Sequence, residues 1–358
     1  MKILVIKRDK IGDMLLTTPM LSVLKQRLPG VELHVLANTY NGWVLECNPD
    51  VDRLWLYPLA RRGFLDKAMA VIRQTVQIAR LRAERFDWVI VAGGEAAHRA
   101  NRRARLIARE GSRIVAYCDA SRCTGISDPL PPPTDGHEVE RILALLTPLG
   151  ICISPSDIPD PRFSPPADWI ESAKHFLDGH GLTPGSYVVI GIGTRKRKRQ
   201  PSPTQVLRWA KALYEQHGLH TIFQWTPGRP DDPLYPGDDD VAEIVLAEKQ
   251  KEGYYWLHPY RSNLNTGIGL IWLARTSLFP DSGFMHLAAA SPGGVIGLFA
   301  DLEHAPPLSV WRPLGAHVGI VVTLGAGADL TDEDVLAPVN ERLSNPSCHA
   351  LAPAAVYS

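Results

Sequence analysis

The chain has no net charge: 38 lysines and arginines are matched by 38 aspartates and glutamates over 358 residues. Overall balance therefore excludes no class of partner. A long hydrophobic run is also missing. No stretch approaches the roughly 18 apolar residues that a spanning helix requires. The opening "MKILVIKRDKIGDM" becomes charged too early for a secretory apolar region. A soluble, cytoplasmic protein is expected, or one that at most lies on a membrane surface. Cysteine is scarce and odd in number: Cys47, Cys118, Cys123, Cys152 and Cys348. Cys118 and Cys123 have no matching second pair or histidine cluster, so reduced thiols are expected rather than a zinc site. Two phosphate-binding signatures are absent as well. No GxxxxGK[ST] occurs, and no GxGxxG follows the first strand, which disfavours a P-loop enzyme and a Rossmann dehydrogenase.

What is present is an alternation. "KILVIK" (2–7), "ELHVLA" (32–37), "DRLWLY" (52–57), "DWVIVA" (87–92) and "RIVAY" (113–117) read as short buried strands. Helical periodicity fills 64–84 and 95–109 between them, and 136–150 after a proline-rich loop. Continuous apolar strands separated by helices are the pattern of a parallel sheet covered on both faces. "SPSDIPDPRFSPPADW" (154–169) carries five prolines, which deny a helix or sheet its N–H groups and so mark a linker. The alternation then resumes with 186–193, 219–225, 276–280 and 293–299. Two α/β units in tandem are expected, with ligands at the carboxyl edges of their sheets. The expected bounds are 1–155, a linker over 156–168, 169–335, and a tail 336–358 that packs back on the first domain. Charge divides between the halves: residues 1–150 hold 22 basic against 16 acidic side chains, which suggests an anionic partner there.

Four stretches carry chemistry. In "KRDKIGDMLLTTP" (7–19) Gly12 allows a tight turn after the first strand. Asp13 either caps the next helix or stands at the cleft edge to accept a proton from a hydroxyl; Thr18 is the alternative cap, with Pro19 starting the helix. In "GIGTRKRKRQPSP" (191–203) five consecutive cations, Arg195 to Arg199, follow a strand and a glycine turn and precede a helix capped by Ser202 or Thr204. That arrangement suits a diphosphate; an exposed basic loop is the plain alternative. "FPDSGFMHLAAASPGG" (279–294) runs a strand into Asp281-Ser282-Gly283 and a helix with Met285 and His286, an ordinary capped helix unless it holds a second anionic group. In 59–86 an apolar stripe of Leu65, Ala68, Met69, Ile72, Val76, Ile78 and Ala79 lies among Arg61, Arg62, Lys67, Arg73, Arg80 and Arg82. A surface helix docked on the core by that stripe is expected; a basic face for an anionic acceptor or a membrane is the sharper reading.

Taken together, these residues resemble glycosyltransferase family 9, whose best-known members are ADP-heptose:lipopolysaccharide heptosyltransferases. "RDKIGDMLLTTPML" looks like the family's opening Gly-Asp and Thr-Pro pattern. "TRKRKRQP" resembles its phosphate loop, although Gln200 stands where tryptophan is usual. "PDSGFMHLAAA" is similar to its most specific signature, with Phe284 in place of proline, and "VIGLFADLEH" with "WRPLG" fits the segment that follows.

The resemblance implies a GT-B fold, two Rossmann-like α/β domains facing a central cleft. It also implies an inverting transfer without metal or other cofactor. Asp13 would deprotonate the acceptor hydroxyl. The donor, a nucleoside-diphosphate sugar such as ADP-heptose, would be held by Gly12, Thr194, Arg195, Lys196, Lys198, Asp281, Ser282, Gly283, Met285 and His286. Lys198 is the principal cation, doing the work that Mg²⁺ does elsewhere. Arg61, Arg62 and Lys67 would meet an anionic, lipid-linked glycan acceptor at the cytoplasmic face of the inner membrane. The ribose carboxylate stays open among Asp238, Asp239, Asp240 and Glu243. Alternatives are a GT-B transferase using another nucleotide sugar on a capsule or O-chain, a silent sugar-nucleotide-binding module, and a polyanion-binding protein. No nucleic-acid partner is expected, because aromatic residues for base stacking are not interleaved with the basic run.

Overall fold

The computed structural model describes residues 1–57, 64–93, 97–119, 123–232, 236–261, 263–304 and 307–344, the side chains of 64–68 and of Ala97 excepted. The chain divides into two compact units, Met1–Ser164 and Pro165–Ser358, so the division falls inside the proline-rich stretch. The first unit runs β1 (Lys2–Ile6), α1 (Ile11–Leu15), α2 (Thr18–Arg27), β2 (Glu32–Asn38), β3 (Arg53–Tyr57), α3 (Phe64–Ala83), β4 (Trp88–Val91), α4 (Ala97–Ile107), β5 (Arg113–Tyr117), β6 (Asp128–Leu130) and α5 (Glu138–Ala144). The second runs α6 (Ala167–Asp178), β7 (Tyr187–Gly191), α7 (Pro203–His217), β8 (His220–Gln224), α8 (Asp239–Glu252), β9 (Leu257–Tyr260), α9 (Leu264–Trp272), β10 (Thr276–Pro280), α10 (Gly283–Ala289), β11 (Val295–Phe299), α11 (Leu308–Trp311), β12 (Val318–Val322) and α12 (Asp332–Ser344).

Each unit holds one six-stranded sheet, ordered β3-β2-β1-β4-β5-β6 and β12-β11-β10-β7-β8-β9, with every strand pair parallel. Numbered from the first strand of each unit, both follow the doubly wound order 3-2-1-4-5-6. Such sheets bind ligands where the winding reverses, beyond the carboxyl ends of the first and fourth strands. Those points are β1/β4 in one unit and β7/β10 in the other. The apolar strands are buried because alternate side chains serve opposite faces. Val188 and Ile190 pack with Trp209 of α7 and Val335 of α12, whereas Tyr187 and Val189 pack with Ala173 of α6 and Leu270 of α9. In the first unit Leu4, Ile6, Val89 and Val91 meet Leu81 of α3 and Ala104 of α4.

Several expectations are corrected. Cys118 and Cys123 are joined as a disulfide, their Cα atoms 5.7 Å apart, and not reduced as expected; Cys47 and Cys152 are outside that bond. The expected break at 335/336 falls inside α12, whose Val335, Val339 and Leu343 belong to the core of the second unit; residues 345–358 lie outside the described residues. Neither Asp13 nor Thr18 is a helix cap. Asp13 is in the first turn of α1 and the N-cap of α2 is Thr17. The apolar stripe of α3 is split: Ile78 packs on the core, most of the rest faces outward, and the side chains of Leu65 and Ala68 lie outside the described residues. The helix turns Ala70, Gln74, Gln77, Ile78 and Leu81 toward its own unit, while Met69, Ile72, Val76 and Ala79 face outward. The two glutamines make inward packing possible: Gln77 Nε2 donates to the Leu56 carbonyl at 2.8 Å, and Arg103 Nη2 donates to Gln74 Oε1 at 3.0 Å.

At the β8–β9 edge, His220 Nδ1 and His258 Nε2 share a 2.9 Å hydrogen bond. Burial, with His220 and His180 adding, pushes the His258 pKa down to about 4, and burial also lowers that of His220. The unfolded chain then binds more protons than the native one below the ordinary value of 6.5. Stability conferred by the neutral imidazole is accordingly expected to be present above that pH and to be lost as pH falls toward about 4. Thermal melts across this window should slope less for His258→Gln than for the native chain.

Candidate functional site

The first switch point is organised by a buried cation. Beyond β1 the sheet pairing continues for one residue, with Lys7 N–H on the Leu36 carbonyl at 3.1 Å and Ala92 N–H on that of Ile6 at 3.1 Å. This carries the Lys7 side chain to the carboxyl edge with no exposed surface. Its ammonium donates to the Ala92 carbonyl at 2.9 Å and pairs with Asp9 at 3.3 Å and Glu138 at 3.5 Å. Burial alone would depress the Lys7 pKa, but the pull of Asp9, Asp13 and Glu138 reverses it, and the net direction is up. Burial raises the Asp9 and Glu138 carboxyls, with Lys7 opposing and Asp13 reinforcing. The backbone between Lys7 and α1 is pinned from the side: Asn38 Nδ2 donates to the Arg8 carbonyl at 2.8 Å and Asn41 Nδ2 to that of Asp9 at 3.2 Å. Thr17 Oγ1 donates to the Asp13 carbonyl at 2.8 Å. Asp13 is thus presented, half-buried, by a one-turn helix whose other positions, Ile11, Gly12, Met14 and Leu15, are buried.

Beside this cluster lies a cavity of about 680 Å³ along the ends of β4 and β5. His98, Asn101, Arg102 and Arg105 of α4 line it together with Tyr117, Glu138 and Arg141. Burial, with Glu138 next in effect, lifts the Tyr117 phenol to about 12. Arg141 and Glu138 come from the segment 136–150, read from sequence only as a helix. His137 caps that helix reciprocally with Glu140. Of the basic residues expected to meet an acceptor, Arg61, Arg62 and the Lys67 side chain lie outside the described residues.

At the second switch point the run of five cations is divided among different tasks. After β7 the chain passes through Gly193 and Thr194 into a 3-10 turn, Arg197–Arg199, and then into α7, where Ser202 and Gln205 form a capping box. Thr194 Oγ1 donates to the Asp281 carbonyl at 3.2 Å. Lys196 donates to the His304 carbonyl at 3.1 Å, and Arg197 pairs with Asp240. Arg199, which is not among the cations expected to hold the donor, is buried. Its Nη1 pairs with Asp281 Oδ2 at 2.8 Å, while Nε and Nη2 are buried without a hydrogen-bond partner among the described residues. Arg195 and Lys198 are exposed and make no ion pair with a described residue. Asp281, expected beside a donor sugar, therefore has one carboxylate oxygen committed to Arg199. Ser282 is the N-cap of α10 and leaves its Oγ buried without a hydrogen-bond partner among the described residues. Gly283 opens that helix and His286 is buried on it. Met285 is fully enclosed in the core, so it acts through packing.

A second cavity, about 200 Å³, lies beyond the ends of β7, β8 and β9. It is walled by Trp225, Pro227, Tyr260, Phe279 and Phe284, with Gln224, Thr226 and Asn263 as polar lining. Phe279 and Phe284 stack at 6.1 Å and 17°. Gly191 is required here, because a Cβ would stand 2.0 Å from the Phe279 ring. The carboxylates left open for a ribose are mostly engaged. Asp238 accepts from the Gln200 amide and from Thr226 N–H at 3.1 Å. Asp239 accepts from Arg261 at 2.9 Å and Trp225 Nε1 at 2.8 Å, contacts that hold its carboxyl well below the usual range. Asp240 holds Arg197, and Glu243 is exposed. Sequence reasoning missed this pocket because its walls come from four separate strand ends.

Among the described residues one grouping has metal-ligand side chains in threes: Glu32, His34 and Glu84. It sits at the amino edge of the first sheet, and Lys2 and Arg53 already neutralise its carboxylates at 2.7–3.2 Å.

Two doubly wound α/β units, with a carboxylate cluster at one switch point and a cationic turn at the other, have the architecture of the GT-B fold. The chain belongs to glycosyltransferase family 9 (heptosyltransferase), whose family model matches residues 77–339. It is 26% identical over 314 residues to lipopolysaccharide heptosyltransferase 3 of Escherichia coli (strain K12), an alignment covering 84% of this chain and 82% of that protein. Among solved structures it resembles the family 9 glycosyltransferase of Veillonella parvula, at a TM-score of 0.78 and 17% identity over 95% and 96% of the two chains. The E. coli ADP-heptose lipopolysaccharide heptosyltransferase II follows at 0.71 and 19%, over 95% and 98%. An E. coli heptosyltransferase solved with ADP gives 0.69 and 18%, over 95% and 99%.

Replacing Lys7 by methionine leaves Asp9 and Glu138 buried without their counter-charge. A loss of about 3–5 kcal/mol is expected, read by urea unfolding at pH 7. The loss should shrink on acidification as the two carboxyls take up protons. A pH-independent loss would mean that the ammonium matters only as packing.

Proposed function

We propose that the protein transfers a heptose from ADP-heptose to a hydroxyl of a lipopolysaccharide inner-core or related surface-glycan acceptor, with inversion and without a metal ion. The observation that carries this reading is the cationic turn 194–199 set beside Asp281-Ser282 at the β7/β10 switch point. Exposed Arg195 and Lys198 supply free positive charge, and Arg199 and Ser282 hold buried groups in want of partners. Phosphate oxygens are the acceptors such donors lack. The relatives' names supply the rest: E. coli heptosyltransferase 3 is a lipopolysaccharide enzyme, and a neighbouring fold was solved with ADP.

In this reading the diphosphate rests on Thr194, Arg195, Lys196 and Lys198, with Gly283 and His286 on the α10 side. The base enters the pocket between Pro227, Tyr260 and Phe284. Gly12 lets Asp13 approach the acceptor hydroxyl and take its proton. The freed oxygen attacks the anomeric carbon from the face opposite the diphosphate, and the carbon–oxygen bond to the diphosphate breaks. The departing negative charge falls on cations already in place, so no reorganisation accompanies the step. Arg102, Arg105 and Arg141 on the large cavity suit an anionic, lipid-linked acceptor, beside the expected Arg61, Arg62 and Lys67.

A second reading keeps the chemistry and changes the donor to another nucleotide sugar. It is favoured by the aromatic Phe284 wall and by the engagement of Asp238, Asp239 and Asp240 within the protein.

Asp13→Asn should retain ADP affinity while heptosyl transfer falls by about 10²–10⁴-fold, followed by product analysis on purified acceptor. Unchanged turnover would remove Asp13 as the base. Transfer by the native protein should persist in excess EDTA, and full recovery only on adding Mg²⁺ would contradict the metal-free mechanism.

A further inference from the structure

Helix α3 is amphipathic the wrong way round for a helix that serves only its own core. Residues 69, 72, 76, 79 and 83 recur at spacings of three and four, which places them on one face. They are Met69, Ile72, Val76, Ala79 and Ala83, and this face points away from the unit. Met69 is 48% exposed, Ile72 57% and Val76 46%, with neighbouring Val71 at 63%. Leu56 on β3 and Leu106 on α4 add exposed apolar surface on adjoining elements. Single exposed apolar residues are ordinary; a contiguous stripe marks a contact surface.

Charge says what kind of contact. Arg73 and Arg80 flank the stripe on one side and Arg82 on the other, all exposed. No acidic residue occurs from 67 to 83. The nearest acid beyond the helix, Glu84, is already paired with Lys2 and Arg53. Helix α4, packed alongside, adds exposed Arg99. A second copy of the same face would bring arginines against arginines, which opposes self-pairing. An apolar stripe between rows of arginine instead matches an anionic lipid interface, where apolar side chains enter the acyl boundary and guanidinium groups meet headgroup phosphates. No helix among the described residues is long and apolar enough to cross a membrane, so contact of this kind is in the plane of the surface.

We propose that the outward face of α3, centred on Met69, Ile72 and Val76 and bordered by Arg73, Arg80 and Arg82, is a docking surface for an anionic lipid bilayer. The inference rests on this surface alone and stands apart from the donor and acceptor assignments above.

The test is sedimentation of the full chain with vesicles at about 0.15 M salt. Vesicles of phosphatidylglycerol and phosphatidylethanolamine should carry the protein down; phosphatidylcholine vesicles should not. The double variant Ile72→Asp/Val76→Asp should bind at least about tenfold more weakly. Arg73→Ser and Arg80→Ser should each weaken binding about fivefold. These side chains are exposed, so unchanged melting and unchanged ADP affinity in the variants separate loss of docking from loss of fold or of the donor site. Three results would overturn the proposal: no sedimentation with anionic vesicles, equal sedimentation with phosphatidylcholine, or full binding by Ile72→Asp/Val76→Asp. A fourth would reassign the face to a second copy, namely a dimer in sedimentation equilibrium that the double variant converts to monomer.

Discussion

A lysine ammonium with no exposed surface, at the end of the first strand, holds the first unit's chemistry in place. Removing such a charge from water costs several kcal/mol in proteins, and Lys7 recovers that cost only because Asp9, Glu138 and the Ala92 carbonyl converge on it. Those partners come from the loop after β1, from α5 and from the end of β4. The pairing therefore ties together the three segments that border the switch point. It also puts a fixed positive charge behind the short helix carrying Asp13, whose field Lys7 shares. Two further carboxylates are pushed toward protonation by the same burial.

The second unit solves the opposite problem, gathering positive charge at the corresponding point of an identical winding. Five adjacent cations would repel one another if all faced one way. The fold distributes them: Arg197 to Asp240, Arg199 inward to Asp281, Lys196 to a carbonyl, and Arg195 and Lys198 to the outside. The inward pair links the cationic turn to the β10–α10 junction, as the Thr194 hydrogen bond does. Gln200, at the position where the family usually has tryptophan, is not an empty substitution. Its amide holds Asp238 and so fastens the turn to the loop that walls the apolar pocket.

Much of this was legible in the sequence wherever a local pattern carried it. The apolar runs at 2–7, 32–37, 87–92 and 276–280 became strands because a parallel sheet covered on both faces needs that composition. Of the edge strands β3 was legible at 52–57, and β6, β9 and β12 were not. β6 contains Pro129 and β9 contains Pro259, residues tolerated only where one side of the ladder is unpaired, and β12 is half-exposed. The glycine turns and the Asp281-Ser282-Gly283 junction could be read because each depends on neighbours in sequence. Long-range electrostatics could not. Nothing near Arg199 announces a partner 82 residues away, and Glu138 gives no sign that Lys7 awaits it. The outward stripe of α3 misled for a related reason. Periodicity shows that a helix has two faces, and packing alone decides which one is buried.

The central claim is that the cationic turn at 194–199 is the seat of a nucleoside diphosphate. It is tested most directly by calorimetric titration of the purified chain, without metal, with ADP, UDP, GDP, dTDP and CMP, beside a variant in which Lys198 is alanine. The account predicts selective binding of ADP, weakened in the variant. Binding of no nucleotide, or equal binding by both proteins, would contradict it.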